Sequence, residues 1–202
     1  MHSRIRQSIL VVAAGMGMAT LIVGVTIGAA ADSKMRPTSA NARSSTQPPV
    51  DTSDNLHVPA DYRTTYQFLG TWAVEPEKAA SPKQLHNVYG SPSAIAAYRR
   101  DGHLPAGTVL VKEVFEAATR DMTTGKVSHA ETLKGWFVMV KDNNAVYAGN
   151  KLWGDGWGWS WFDAQKPSRT TSTDYKKDCE GCHIPARASD WVYVDGYPPL
   201  KR

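Results

Sequence analysis

"QLHNVYGSPSAIAAYRRDGHLPAGTVLVKEV", residues 84–114, reads as strand, helix, strand. "LHNVYG" (85–90) is rich in β-branched and aromatic residues, the composition of a strand. "SPSAIAAYRRDG" (91–102) has the grammar of a short helix: Ser91 can cap it, Pro92 suits its first turn, Ala94 to Arg100 favour it and Gly102 ends it. "GTVLVKEVFEA" (107–117) is the clearest strand in the chain. Along that strand Thr108, Leu110, Lys112, Val114 and Glu116 share one face, and Val109, Val111, Glu113, Phe115 and Ala117 share the other. Lys112 therefore sits in an apolar row, and alternation alone reads it as a lysine reaching for water along its stem.

Working outward, "YQFLGTWAV" (66–74), "GWFVMVK" (135–141), "GWGWSWFD" (156–163) and "DWVYVDG" (190–196) complete a set of six expected strands. Turns with Gly, Asp and Asn separate them, so the fold class is α+β, a mainly antiparallel sheet with short helices. In "GWGWSWFD" the alternation puts Trp157, Trp159 and Trp161 on one face and leaves Gly158 and Ser160 on the other. Two readings stand: tryptophans filling a core, or small residues admitting a flat cofactor or another backbone.

The first residues are basic, "MHSRIRQ". Residues 9–31 carry no charge and end in Ala29, Ala30 and Ala31. That is the plan of an export signal, residues 1–31, with cleavage after Ala31 favoured over an uncleaved membrane anchor. The protein is therefore expected to be periplasmic, and on the membrane only if that segment stays attached. Without it, 21 Lys and Arg face 19 Asp and Glu, a net charge of +2. The basic residues are scattered, which argues against nucleic acid as a partner. Residues 32–55 are rich in Ser, Thr, Pro and Asn and read as a disordered linker. One domain, residues 56–202, remains.

The chain's two cysteines stand together in "DCEGCH", Cys179 and Cys182, with His183 next. A redox dithiol needs only the Cys-x-x-Cys, but expects a βαβ setting that is missing here. Structural zinc needs a fourth ligand, and His57, His86, His103 and His129 are remote in sequence. Cys-x-x-Cys-His is the attachment signature of c-type haem, and this reading is favoured. On a helical turn the two thiols reach the cofactor's vinyl groups and the imidazole reaches the metal. His183 is then the iron ligand. Only 19 residues follow it, none of them methionine, so the downstream second ligand of small electron-transfer cytochromes is missing. Met122, Met139 and the upstream histidines remain as candidates. A five-coordinate iron with an open position is favoured over a six-coordinate one.

Residues 84–114, the Trp-rich strand and the C-terminal "CEGCH" together resemble the cytochrome P-460 family, which includes the related cytochromes c′-beta. The resemblance covers roughly residues 58–200. It implies a mainly antiparallel β fold, a homodimer, and one covalent haem c per chain held by Cys179, Cys182 and His183. It also implies that Lys112, in "TVLVKE", is the lysine that catalytic members bond to the macrocycle. The apolar row holding Lys112 would then face the cofactor. Members with that link oxidise hydroxylamine to nitrogen oxides and pass electrons to an acceptor cytochrome, whereas those without it bind nitric oxide. The distal glutamate of the active members has no counterpart in "DAQKPSRTTSTDYKKD" (163–178), where Asp163, Asp174 and Asp178 are read as solvated acids. An arginine on the second strand is replaced by His86, a candidate proton relay or a half-buried histidine with its polar atoms satisfied.

Overall fold

Two long runs of alternating residues, Val109–Met122 and Gly125–Lys141, fold back on each other as the central hairpin of the protein. The computed structural model describes residues 48–76 and 82–202. The expected export segment and the first part of the expected linker lie outside the described residues. Among the described residues six strands form one antiparallel sheet: β1 (Gln67–Val74), β2 (Gln84–Gly90), β3 (Val109–Met122), β4 (Gly125–Lys141), β5 (Trp153–Gly154) and β6 (Trp157–Asp163). Their order across the sheet is β1-β2-β3-β4-β6-β5. With four short α-helices, α1 (Tyr62–Thr65), α2 (Pro92–Asp101), α3 (Tyr175–Asp178) and α4 (Glu180–His183), this is the expected α+β class.

Helix α2 begins and ends where the sequence indicates, but Ser91 has a different task. Its hydroxyl accepts from the amide of Val109 at 3.1 Å, tying the helix start to β3 instead of capping the helix. Gly102 closes the helix in the left-handed conformation, φ +76°, with its amide on the Tyr98 carbonyl.

The expected strand at 190–196 does not form. Residues Ile184–Ser189, Val194–Gly196 and Pro198–Leu200 are short 3-10 turns instead. Asp190 and Trp191 lie between them with φ of +59° and +66°, a conformation that no strand contains. The apolar pattern misled because Trp191, Val192 and Tyr197 are buried as a coil laid against the sheet.

Each face of the sheet has its own core. On the first, Leu69, Val88, Leu110, Met139, Trp157 and Trp159 meet α2 and the C-terminal turns. On the second, Val109, Val111, Val138, Val140 and Phe162 pack on Leu56 and Tyr62. Here Glu113, only 2% exposed, accepts from the Tyr62 hydroxyl, from Arg63 Nε at 2.5 Å and from Asn87 Nδ2 at 3.5 Å. A buried carboxylate is tolerated only when it is paired and hydrogen-bonded in this way.

Both readings of the Trp strand receive a definite outcome. Trp157 and Trp159 fill the first core, while Trp161 lies half-buried against Phe137, ring centroids 4.5 Å apart. Gly158 lies under the ring of Trp153, which a Cβ there would approach to 2.7 Å. At Gly158 the small residue admits another tryptophan, whereas Ser160 lines a cavity.

The folded unit also starts earlier than Leu56. Val50 bridges to Leu56, and His57 Nε2 meets Asp51 Oδ2 at 2.9 Å. Leu56 itself is 1% exposed. Leu56→Ala should therefore cost about 2–5 kcal/mol, the usual range for truncating a buried leucine. Urea unfolding checks this; a cost below about 0.5 kcal/mol, typical of surface sites, would return residues 50–56 to the linker.

Candidate functional site

On the first face the C-terminal segment does not close fully on the sheet. It leaves a cavity of about 610 Å³ between the strands and α3–α4, within the ~300–1,000 Å³ of ligand sites. Strands β3, β4 and β6 supply its wall, with Leu110, Val114, Phe137, Met139, Trp159 and Trp161. Cys179, Cys182, His183, Val192, Tyr193 and Tyr197 line it from the C-terminal segment. The register of β3 sends Lys112 into this cavity, with Leu110 and Val114 on either side of it in the same row. His86, on β2, lines it too.

The Cys-x-x-Cys-His segment is presented by a pair of capped turns. Asp174 accepts from the amide of Lys176 at 3.1 Å and starts α3. Asp178 Oδ2 accepts from the amides of Thr173 at 2.7 Å and Asp174 at 3.2 Å. Asp163 accepts from the amide of Gln165 at 2.8 Å. All three aspartates are thus engaged by backbone amides. Helix α4 follows with both thiols free, Cys179 buried and Cys182 exposed. Burial pushes the Cys179 thiol up to about 11.

His183 is oriented by one hydrogen bond. Its Nδ1–H donates to the Trp191 carbonyl at 2.8 Å. That fixes the tautomer and leaves Nε2 with a free lone pair, the arrangement of a metal-ligating imidazole. Trp159 meets the ring edge-on, centroids 4.9 Å apart. Burial lowers the pKa of His183, the Trp191 carbonyl opposes that shift, and the charge of Lys112 adds to it. The Tyr193 hydroxyl donates to the Cys182 carbonyl and anchors the end of α4.

Lys112 Nζ lies 4.3 Å from the centroid of Phe137. Burial holds its amine below the ordinary lysine value, partly opposed by the two cysteines. A neutral amine is the nucleophilic form. His86 Nε2–H donates to Gln84 Oε1 at 3.0 Å, which leaves Nδ1 as the acceptor. Burial first, and the charge of Lys112 second, lower its pKa to about 4.

The other candidate ligands are elsewhere. Met122 is 50% exposed at the tip of the β3–β4 hairpin, and His129 is exposed on the same arm. His57 is bound to Asp51, and His103 is exposed after α2. Met139 and His86 alone of the six line the cavity. Among the described residues no group of three or more His, Cys, Asp or Glu stands together as a metal cluster, so the zinc reading lacks its fourth ligand. The antiparallel sheet likewise offers the dithiol reading no βαβ setting. Sequence reasoning missed the Trp191 carbonyl, because any residue could have supplied it. It also missed Phe137, whose position follows only from the pairing Lys112↔Phe137.

Residues 59–194 match the model of one protein family, described as Cytochrome P460. No curated protein matches the chain significantly. The family implies a haem, and the cavity fits one: it is mainly apolar, it holds two free thiols, and it has an imidazole whose Nδ1–H is taken by the Trp191 carbonyl, leaving the Nε2 lone pair free.

The depressed His86 value makes stability depend on pH. The unfolded imidazole binds its proton near ~6.5, the folded one near about 4. Between these values the unfolded chain holds more protons, so stability falls as pH falls through the window. His86→Gln should flatten that part of the curve. Urea midpoints of both proteins across the window check it, and an unchanged slope would place His86 in water.

Proposed function

The chain belongs to the cytochrome P460 family, and from that premise we propose that it is an exported c-type cytochrome that oxidises hydroxylamine. The observation that carries this reading is the meeting of Cys179, Cys182, His183, Lys112 and His86 in one apolar cavity. Cys179 and Cys182 hold the haem by thioethers and His183 Nε2 ligates its iron. The bound group supplies a redox-active metal that can take electrons from a small nitrogen substrate. The apolar wall of the cavity would surround that group with Leu110, Val114, Phe137, Met139 and Trp159.

Lys112 is placed for a bond to the macrocycle. Burial holds its amine below the ordinary lysine value, which favours the nucleophilic neutral form, and its neighbour Phe137 is no carboxylate to pin it as a cation. His86 is the proton acceptor. It stays neutral at working pH, its Nε2–H is held by Gln84, and its Nδ1 is free for a proton released from the substrate nitrogen. The signal-like N-terminus supports a periplasmic location. Electrons leave to an acceptor cytochrome, and the family resemblance supports a homodimer.

A specific observation favours a second reading, nitric oxide binding without turnover. The one carboxylate on the cavity among the described residues is Asp178, and its Oδ2 is already bound to two backbone amides. A substrate on the cavity would then meet His86 and Lys112, with Lys134, Tyr193 and Tyr197, and no carboxylate free of backbone partners. The electron-carrier reading now rests on Met139 or His86 as sixth ligand.

Tandem mass spectrometry of digested, haem-loaded protein should find one haem joined to both the Cys179–Cys182 peptide and the Lys112 peptide. Lys112→Met should leave haem on the cysteine peptide alone. With an artificial electron acceptor, His86→Gln should lower hydroxylamine turnover by roughly 10²-fold, the lower range for loss of an acid–base group. A Lys112-linked protein that binds nitric oxide but does not consume hydroxylamine would replace the first reading by the second. A ferrous haem that ignores carbon monoxide would support the carrier.

A further inference from the structure

We infer that the buried ion pair between Lys141 and Asp190 is the positioning element of the His183 imidazole, an inference that rests on reading His183 as the haem ligand. The pair is remote from the cavity: neither residue lines it. It acts through the backbone. The single hydrogen bond that orients His183 comes from the Trp191 carbonyl. That carbonyl points at the ring because Asp190 and Trp191 both adopt positive φ, +59° and +66°. Two consecutive left-handed residues with side chains are disfavoured and persist only when their surroundings over-determine them.

Asp190 supplies that over-determination. Its Oδ1 takes Lys141 Nζ at 2.5 Å, its Oδ2 takes the Leu104 amide at 3.0 Å, and its carbonyl takes Trp157 Nε1 at 3.1 Å. Lys141 ends β4, and its ammonium also lies over the Trp157 ring, 4.7 Å from the centroid. The two side chains are 7% and 9% exposed, so the pair is not a surface ornament. The end of β4 and the loop after α2 thus converge on one carboxylate, and the start of β6 holds the backbone carbonyl of the same residue. The next residue carries the acceptor for His183. A second-shell acceptor of this kind orients a ligating imidazole and raises its donor strength. Buried ion pairs add little net stability but can fix one arrangement among several, and here the arrangement fixed is the corner at Asp190.

The test uses the full-length, haem-loaded protein. Asp190→Asn keeps an acceptor for the Leu104 amide and removes the charge. Lys141→Met combined with Asp190→Asn removes both charges and leaves no unpaired ion, so it serves where the single variant does not accumulate. The readouts are the iron–histidine stretch of the ferrous protein by resonance Raman and the reduction potential. With haem still on the cysteine peptide, the stretch should move to lower wavenumber and the potential should rise, because a loosened Trp191 carbonyl leaves Nε2 a weaker donor. Leu56→Ala, destabilising on the opposite face, should move neither. An unchanged stretch and potential in the haem-bearing Asp190 variants would overturn the inference while the site reading stands. An unsubstituted protein without the stretch would overturn both, since His183 would then not be the ligand.

Discussion

The register of β3 is the constraint from which the rest follows. Lys112 and Glu113 are neighbours in sequence, and the two-residue period of a strand sends them to opposite faces. Lys112 goes to the cavity, and Glu113 goes to the second core, where Tyr62, Arg63 and Asn87 receive it. A slip of one residue would put a carboxylate against the apolar cavity wall and a lysine against Val138, Val140 and Phe162 of the second core. Each ion would then be buried without its partner, the costliest kind of error in a core. The polar network behind the sheet therefore locks the face on which the chemistry in front of it depends.

Much of this was legible in the residues. The strands, α2 and Gly102 all carry local signals that agree with the tertiary structure. The Cys-x-x-Cys-His turn drew notice because its spacing carries a mechanism, and its two thiols and imidazole lie on the cavity with Lys112. Lys112 is a mixed case. Alternation placed it correctly on the row with Leu110 and Val114, but which row faces a cavity is decided by what packs on the sheet, and strand pattern alone does not contain that. The strand expected at 190–196 failed for a related reason. Burial of Trp191, Val192 and Tyr197 makes an apolar run, and an apolar run is silent on whether the backbone is extended. The deciding fact was a pair of positive φ values at Asp190 and Trp191, held by a lysine almost fifty positions upstream, a distance at which local propensity has nothing to say. The same holds for the segment before Leu56, whose Ser/Thr/Pro composition reads as linker although Val50 and Asp51 are held by Leu56 and His57.

The site also joins two kinds of residue. The side chains on the cavity wall come from a rigid sheet, which fixes them to within strand geometry. The thiols and the imidazole come from short helical turns whose shape depends on caps: Asp174 on Lys176, Asp178 on Thr173 and Asp174, Tyr193 on Cys182. Function sits at that junction, where adaptable segments are clamped onto a rigid frame.

The C-terminal turns have a kinetic meaning as well. Gly196 and Tyr197 pack against Gly70, and a Cβ at Gly70 would come within 2.4 Å of the Gly196 carbonyl. Strand β1 and the end of the chain are thus in contact across most of the domain's length. Pairings of such long sequence separation are slow to find, because loop closure must be completed before any of their contacts form. The strands can pair and α2 can dock while the last residues are still free. The contacts that close the wall against β1 are the ones of longest sequence separation. An order of assembly in which the sheet precedes these contacts would give a large flat ligand its widest approach before the wall closes.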